Sequence, residues 1–267
     1  MPRQSAGHAL GKLVHEECSA VIAALRGRSA LHTRVHEARK AIRRTRALLA
    51  LAEDGEAGFD IGPADRILQR VGDSLSRLRD AYVAIDTART VGKQTEPKRW
   101  RPVVIALRKR SASLVAHELE RDPGLARRVA SVEGALHYLD PLPWAELTAA
   151  QIREGVQRQR RRVERAARRA GKHPDAERLH AWRRKVRRLR MQVDALPKLK
   201  PRWSKATAST PKSKSLHKLS DALGREQDLQ VLGMLLRRLP GLEDRAAYRA
   251  ELKALAAVPA GDATGGT

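Results

Sequence analysis

The sequence has one cysteine, Cys18, and few aromatic residues, which make up 3% of its 267 positions. A single cysteine excludes a disulfide framework and fits a reducing compartment, so we expect Cys18 to be a small core residue. The shortage of aromatic side chains disfavours a binder of single-stranded nucleic acid, because such proteins stack bases on aromatic rings. No run approaches the ~20 apolar residues of a membrane span, and the N-terminus lacks the apolar segment of a signal peptide. We therefore expect a soluble, cytoplasmic protein with no membrane partner.

Acidic residues are also scarce relative to basic ones. The chain has 30 Asp and Glu against 54 Lys and Arg, which gives a formal net charge of +24 and a pI near 11.2. This excess is larger than solubility requires, and it predicts a polyanionic partner such as nucleic acid, an anionic membrane surface or a phosphate polymer. Arginine is the main cation, and its planar guanidinium binds phosphate oxygens in pairs.

One basic stretch occurs twice, as VHEARKAIRRTR at 35–46 and as LHAWRRKVRRLR at 179–190. At about 100° per residue, each copy forms an amphipathic helix with an apolar side and a cationic side. Glu37 is the only acid in the first copy, and the second has none, so helical i,i+4 partners do not balance the cations. A solvated surface is the simple alternative, but a bound anion explains the imbalance better. The candidate binding residues in the two copies are His36, Arg39, Lys40, Arg43, Arg44, Arg46, His180, Arg183, Arg184, Arg187, Arg188 and Arg190.

Two pairs of residues allow more than one interpretation. His36 and His180 either contact phosphate or pack against neighbouring helices through Asp80 or Asp228, and the sequence does not separate these alternatives. The two aspartates form a catalytic carboxylate pair or, as we favour, orient arginines within the bundles.

His32 and His36 have metal-ligand spacing but no clear third ligand, and the chain lacks both a Gly-rich phosphate loop and a Gly-x-Ser-x-Gly motif. We therefore expect a protein that is not an enzyme and that has no metal or cofactor.

Helical periodicity runs through the chain without strand-like alternation, which predicts an all-α fold. The expected helices cover about 6–25, a second helix ending near 52, 61–85, 97 or 102 to 120, 144–170, 175–196, 216–235 and a last helix ending near 258, and a short segment to 139 precedes the helix at 144. The helix at 144–170 carries arginines nearly all round, so we do not assign them to the site. Residues 140–143 separate two repeats, about 5–139 and 144–258, within one domain of 5–258, and 259–267 form a disordered tail. The repeats predict two antiparallel helical bundles related by a pseudo-two-fold axis.

These motifs resemble the CHAD domain, the conserved histidine α-helical domain. Its pattern is a histidine followed by Arg at +3, a basic pair at +7 and +8 and a basic residue at +10, and both His36 to Arg46 and His180 to Arg190 match it. A later leucine- and aspartate-containing pattern is similar to 216–232, which includes His217 and Lys218. The first repeat departs from this second pattern, with Ser76 where the second repeat has Gly224.

The resemblance implies two helical bundles around a basic cavity that binds inorganic polyphosphate, with His217 and Lys218 as further binding residues. It also implies an association with polyphosphate granules. Some members are fused to, or work beside, a triphosphate tunnel metalloenzyme, so a polyphosphate-metabolising enzyme is an expected partner. The Glu-x-Glu-x-Lys motif of that enzyme is absent, so the chain is expected to be the binding module alone. The alternative is a basic helical protein that binds the backbone of DNA or RNA, since nucleic acids offer the same phosphates.

Overall fold

The computed structural model describes residues 5–53, 59–173, 175–200 and 213–257. These residues form ten α-helices, two short 3₁₀ turns and no strand, so the all-α prediction is confirmed. The helices are α1 (Ala6–Arg26), α2 (Leu31–Leu49), α3 (Gly62–Ser74), α4 (Ser76–Gln94), α5 (Pro97–Arg121), α6 (Ala126–Leu139), α7 (Ala149–Lys172), α8 (Ala176–Leu199), α9 (Ser213–Leu236) and α10 (Arg245–Ala257). None of the described helices is long and apolar enough to cross a membrane.

The helix predicted at 61–85 is in fact two helices, α3 and α4, which are separated at Leu75. A continuous helix needs the carbonyls of α3 for its own backbone hydrogen bonds. The Val71 carbonyl accepts from the Leu75 N–H at 3.2 Å as well as from the Ser74 hydroxyl at 2.8 Å, but the Gly72 carbonyl accepts from Arg39 of α2 and from the Ser76 hydroxyl. Side chains thus use the acceptors at the break, and such local side-chain bonds compete with helix continuation.

Caps determine where α7 and α8 begin. The predicted start of α7 at Trp144 is too early, because Trp144 lies in a 3₁₀ turn and the helix begins at Ala149. Thr148 and Gln151 form a capping box there, in which the side chain of each bonds to the backbone N–H of the other. At α8 the Asp175 side chain accepts a hydrogen bond from the backbone N–H of Arg178 at 2.7 Å, so α8 begins where the sequence predicts.

Two helix ends also differ from expectation. The helices that carry the two copies of the basic motif, α2 and α8, are called the signature helices below. The first, α2, ends at Leu49 instead of near Ala52, because Leu51 and Ala52 form i,i+3 backbone bonds of 2.9 Å. The second, α8, continues through Pro197 to Leu199. Residues 201–212, which follow the end of α8, and the predicted tail at 259–267 lie outside the described residues.

By packing, the chain divides into two compact units. Unit 1 comprises 1–76 and 122–220, and unit 2 comprises 77–121 and 221–267. The chain passes from one unit to the other after Ser76, Arg121 and Ser220, so each unit takes helices from both sequence repeats. The single domain with two repeats and the pseudo-two-fold relation between them stay predictions.

Unit 1 contains α1, α2, α3, α6, α7, α8 and the first turns of α9. Within it, α1 packs against α2 and α6, α2 packs against α3 and α8, and α7 packs against α8. Gly155 of α7 lies against the turn that follows α2, where an added Cβ would be 2.6 Å from the Leu51 carbonyl oxygen. Fully buried side chains of this unit include Leu10, Leu25, Leu49, Leu68, Leu125, Leu139, Ile152 and Leu189.

Unit 2 contains α4, α5, the rest of α9 and α10. Trp100 of α5 is 1% exposed, its ring meets Tyr248 edge-on at 5.1 Å between centroids, and its Nε1 donates to Glu251 at 3.1 Å. These contacts join α5 to α10. The core of the unit also includes Ile85, Val91, Val103, Leu107, Leu232, Leu236 and Leu252.

Candidate functional site

All fourteen candidate residues predicted from the sequence lie in unit 1, on α2, α8 and the first turns of α9. The two signature helices, α2 and α8, pack directly against each other. Gln192 of α8 is fully buried, and its amide donates to the Ala47 carbonyl of α2 at 2.9 Å. The two helices are therefore joined just after the C-terminal ends of the two copies.

In the first copy, two arginines pair with acids of neighbouring helices. Arg44 donates through Nε to Glu17 of α1 at 2.7 Å. Arg46 binds both carboxylate oxygens of Asp65 of α3, at 2.7 and 2.9 Å. Because these acids are distant in sequence, the count of acids within the motif did not reveal them. The charge of the first copy is thus more balanced than its sequence indicates.

Arg39 and Lys40 also have partners within the protein. Arg39 donates to the Gly72 carbonyl and, at 2.7 Å, to the Ser76 hydroxyl, so it fastens α2 to the end of α3. Lys40 lies on the exposed side of α2, with its Nζ 3.5 Å from Glu37. His36 Nε2 is 3.7 Å from the same carboxylate. Arg39 therefore has a structural role in addition to the predicted binding role.

The second copy contains a group of arginines that is only partly balanced. Burial lowers the pKa of the Arg188 guanidinium, and the charges of Arg46 and Arg162 lower it further, while Asp65 and Glu53 oppose that effect. Asp65 already binds Arg46, and Glu53 already binds Arg162 at 2.8 Å. Three guanidinium groups thus share two carboxylates, which leaves an excess positive charge in a partly desolvated place.

Lys185 lies beside this group and is half-buried. Burial lowers the pKa of its ammonium, and the neighbouring charges of Arg184, Arg188, Arg169 and Arg162 lower it further. In the part of the chain that the structure describes, no carboxylate forms an ion pair with Lys185. The arginines of α7 therefore contribute to the same positive region as those of α8. Arg162, Arg165 and Arg169 have the i, i+3, i+7 spacing of residues on one face of a helix. This spacing is visible in the sequence, but the predicted site did not include it.

The residues of α9 come close to the second copy. Arg190 Nη1 lies 3.2 Å from His217 Nδ1, and His217 Nε2 lies 3.4 Å from the Asp194 carboxylate. Lys218 and Arg184 are exposed, whereas the other candidates, which are Arg43, His180, Arg183 and Arg187, are half-buried on α2 and α8. That these four and their neighbours line one cavity stays a prediction.

Cys18 is fully buried, and burial raises the pKa of its thiol to about 12. The thiol is therefore protonated at neutral pH, which agrees with its expected place in the core. Within the described ranges, no group of three or more His, Cys, Asp and Glu side chains is arranged to hold a metal ion.

Comparison with known proteins identifies the family. The family model described as the CHAD domain matches residues 9–237. The chain belongs to the CHAD domain family. CHAD domains are associated with polyphosphate binding. The chain is also similar to the crystal structure of the CHAD domain from the plant Ricinus communis, at 20% identity over 94% of this chain and 86% of that one, with a TM-score of 0.65. At this identity the likeness supports the CHAD fold alone, and a search of curated proteins finds no match.

Proposed function

We propose that this CHAD domain binds inorganic polyphosphate through a basic cavity lined by α2 and α8. The observation that carries the proposal is the packing of the two signature helices against each other, joined by Gln192 and Ala47. This packing brings Arg46 of the first copy and Arg188 of the second close enough for their charges to interact. A phosphate chain would supply the negative charge that the protein itself does not.

A linear polyanion suits this arrangement because it can contact both copies at once. Once one segment of the chain is bound to α8, contact with α2 is intramolecular, so affinity should rise with chain length. Orthophosphate has one phosphate and cannot bridge the copies, so it should bind weakly. Each phosphate contact also displaces counterions, so affinity should fall steeply with salt.

We also propose that the domain binds polyphosphate without cleaving it. Hydrolysis of a phosphate chain usually requires metal ions that hold the attacking and leaving oxygens, and carboxylates hold such ions in proteins. The basic region described above contains more guanidinium groups than carboxylates, and its acids are engaged with arginines. Polyphosphate should keep its length during incubation with the protein and Mg²⁺ or Mn²⁺. Chain shortening on a gel would contradict this part of the proposal.

We further propose that the domain acts at polyphosphate granules beside a polyphosphate-metabolising enzyme. The association of the CHAD family with polyphosphate binding supports this proposal. A fluorescent fusion should coincide with granules in cells that contain them, and the Arg43→Ala/Arg187→Ala variant of the fusion should lose that pattern. Equal localisation of the two fusions would contradict the proposal.

The test of binding is a competition between long-chain polyphosphate and double-stranded DNA at equal phosphate concentration and at two salt concentrations. The variant Arg43→Ala/Arg187→Ala removes one equivalent charge from each copy, and we expect it to weaken polyphosphate binding and to reduce the salt slope by about two units. The matched control is Arg28→Ala/Arg127→Ala, which removes two exposed charges of unit 1 outside α2 and α8. Thermal unfolding of both variants separates lost binding from lost structure.

Two outcomes would overturn the proposal. Equal affinity and salt slope of the two double variants would mean that α2 and α8 do not hold the anion. Preference for DNA over polyphosphate at matched phosphate would favour a protein that binds the nucleic-acid backbone.

A further inference from the structure

A cavity of about 490 Å³ lies between the C-terminal half of α7 and the N-terminal half of α8, within unit 1. It is large enough for a small ligand, since ligand pockets in proteins commonly occupy about 300–1,000 Å³. Its lining residues are Arg162, Arg165, Ala166, Arg169, Asp175, Glu177, Arg178, Ala181 and Lys185. None of them belongs to the fourteen residues that the sequence assigned to polyphosphate.

The cavity and the predicted binding residues His180, Arg183 and Arg187 lie on different sides of α8. Ala181 and Lys185 face the cavity. At about 100° per residue, they lie roughly opposite His180, Arg183 and Arg187, while Arg184 and Arg188 lie between the two sides. An anion in the cavity would therefore not contact His180, Arg183 and Arg187.

The lining carries five cations and two acids. Asp175 is engaged, because it caps α8 and pairs with Arg178 at 2.5 Å. Arg165, Arg169 and Lys185 form no ion pair with any acid in the described ranges. These three cations are available to a ligand without breaking an existing ion pair.

The state of Lys185 supports this assignment independently. Burial lowers the pKa of its ammonium, and the charges of neighbouring arginines lower it further. The second of these causes shows that positive charge lies beside the cavity wall. A bound anion would reverse the effect, because an opposite charge nearby favours the protonated amine.

The first copy has no equivalent of this charge. The helices α1 and α7 align through their buried positions, which pair Gly7, Leu10, Gly11, Val14, Val21 and Leu25 with Ile152, Gly155, Val156, Gln159, Ala166 and Ala170. In this alignment the cations Arg162, Arg165 and Arg169 of α7 correspond to Glu17, Ala20 and Ala24 of α1. In the motif alignment of α2 with α8, Lys185 corresponds to Ala41. The helix pair therefore folds without these cations, and their presence in the second copy requires another explanation.

We propose that this cavity is a second anion site, which binds a small oligophosphate of about three phosphate groups. Guanidinium groups bind phosphate oxygens in pairs, and three or more cations around one cavity suit several phosphates at once. Among the described residues, the lining contains no aromatic ring, and its apolar residues are Ala166 and Ala181, so none of these residues would hold a nucleobase. The ligand is accordingly a phosphate cluster without an aromatic part, and inorganic tripolyphosphate is the probe. The site does not depend on polyphosphate binding by α2 and α8.

Calorimetric titration with tripolyphosphate tests the proposal. The variant Arg165→Gln/Arg169→Gln should lower tripolyphosphate affinity by about tenfold or more, because each charge-assisted contact contributes substantially to binding. The matched control is Arg161→Gln/Arg168→Gln, which removes two exposed arginines of the same helix that do not line the cavity. The control should change affinity by less than about threefold, a small fraction of the expected loss. ATP should bind no more tightly than tripolyphosphate.

Lys185 gives a readout that needs no substitution. The wild-type protein is acetylated with a small amine-reactive reagent, and the modified lysines are mapped by peptide mass spectrometry. Tripolyphosphate should slow acetylation at Lys185. Lys109, which is exposed on α5 and outside both proposed sites, should be unaffected. This measurement decides the matter even where the double variant fails to fold.

Three results would overturn the inference. The first is equal loss of tripolyphosphate affinity in the two double variants of α7, which would indicate general attraction by net charge. The second is a loss of long-chain polyphosphate binding in Arg165→Gln/Arg169→Gln as large as its loss of tripolyphosphate binding, which would make the cavity part of one continuous polymer site. The third is the absence of protection at Lys185. The polyphosphate proposal is tested separately by Arg43→Ala/Arg187→Ala, so either proposal can fail alone.

Discussion

The two signature helices carry the same motif, yet their arginines have different neighbours. In the first copy, Arg44 of α2 donates to Glu17 of α1 at 2.7 Å. In the second copy the equivalent arginine is Arg188 of α8, and the residue at the position of Glu17 is Arg162 of α7. An ion pair in one copy thus corresponds to a repulsive pair in the other.

The difference shows that the motif alone does not decide what its cations do. Each copy folds as an amphipathic helix that packs against the other, but the preceding helix determines whether the arginines are balanced. In the first copy, acids of α1 and α3 hold the arginines for structure. In the second copy, α7 contributes cations instead of acids, so the positive charge of α8 is less balanced by the protein and is available to bind an anion. We therefore expect the first copy to be more important for stability and the second to be more important for binding.

The largest expected effect is on the ion pair of the first copy. Arg44→Gln removes the partner of Glu17, a carboxylate that is 13% exposed, and leaves it partly buried without compensation. We expect the free energy of unfolding to fall by about 1–3 kcal/mol, less than for a fully buried pair. Urea unfolding measures the change, and the double variant Glu17→Gln/Arg44→Gln should recover part of it. A loss below about 0.5 kcal/mol, the range of ordinary surface substitutions, would mean that the pair is not structural.

The next effect concerns Cys18, for which Val163 stands at the equivalent position of the second copy. The folded thiol has a pKa of about 12, against 9.0 when it is exposed. Above pH 9 the unfolded thiol loses its proton while the folded one keeps it, so stability should fall as pH rises towards 12. The slope for one proton is at most about 1.4 kcal/mol per pH unit. Cys18→Val should remove this contribution in urea unfolding between pH 9 and pH 10.5, and an unchanged slope would contradict the prediction.

A smaller effect on stability, with a clear effect on binding, is expected at Arg188. Arg188→Gln removes a half-buried charge that faces Arg46 and Arg162, so the free energy of unfolding should stay the same or rise by up to about 1 kcal/mol. Polyphosphate affinity should fall, and its salt slope should decrease by about one unit. The comparison variant is Arg44→Gln at the equivalent position, which should lower the free energy of unfolding and should reduce polyphosphate affinity less than Arg188→Gln does. If the two variants lose equal stability, the proposed difference between the copies is wrong.

Much of the fold follows from the sequence because amphipathic periodicity is a local property. The all-α class and the two equivalent basic helices were predicted in this way, and the CHAD family was identified separately through the resemblance of the motifs. The break at Leu75 was not, since it depends on Arg39, a residue on another helix that binds the Gly72 carbonyl. Helix ends that depend on tertiary contacts or tight turns are outside what periodicity can show.

The candidate site was predicted less completely for the same reason. The small number of acids within the motif indicated an excess of positive charge. It did not reveal Glu17 and Asp65, which pair with Arg44 and Arg46 from other helices. The arginines of α7 were not assigned to the site because they occur on all sides of the helix. In the structure, only some of them line the cavity that α7 forms with α8. Charge balance between helices is a property of packing, and a single sequence does not contain it explicitly.

The smallest expected effect distinguishes the copies at Lys185, where the first copy has Ala41. The pKa of Lys185 is lowered below the ordinary 10.5 by burial and by neighbouring arginines, so the unfolded chain binds this proton more tightly than the folded one. Stability should therefore rise with pH in the interval just below 10.5, because the folded protein gives up an unfavourable charge there. Cys18 acts in the opposite direction, so the measurement uses the Cys18→Val background with and without Lys185→Ala.

Urea unfolding from pH 8 upward should show the rise in Cys18→Val and a flatter profile after Lys185→Ala. Lys218→Ala, which removes an exposed lysine, is the matched control and should leave the rise in place. Saturating tripolyphosphate should also flatten the rise, because an anion beside Lys185 favours its protonated form and raises its pKa. A rise that persists in Lys185→Ala would assign the titration to another group, and the contrast between Ala41 and Lys185 would then have no electrostatic consequence.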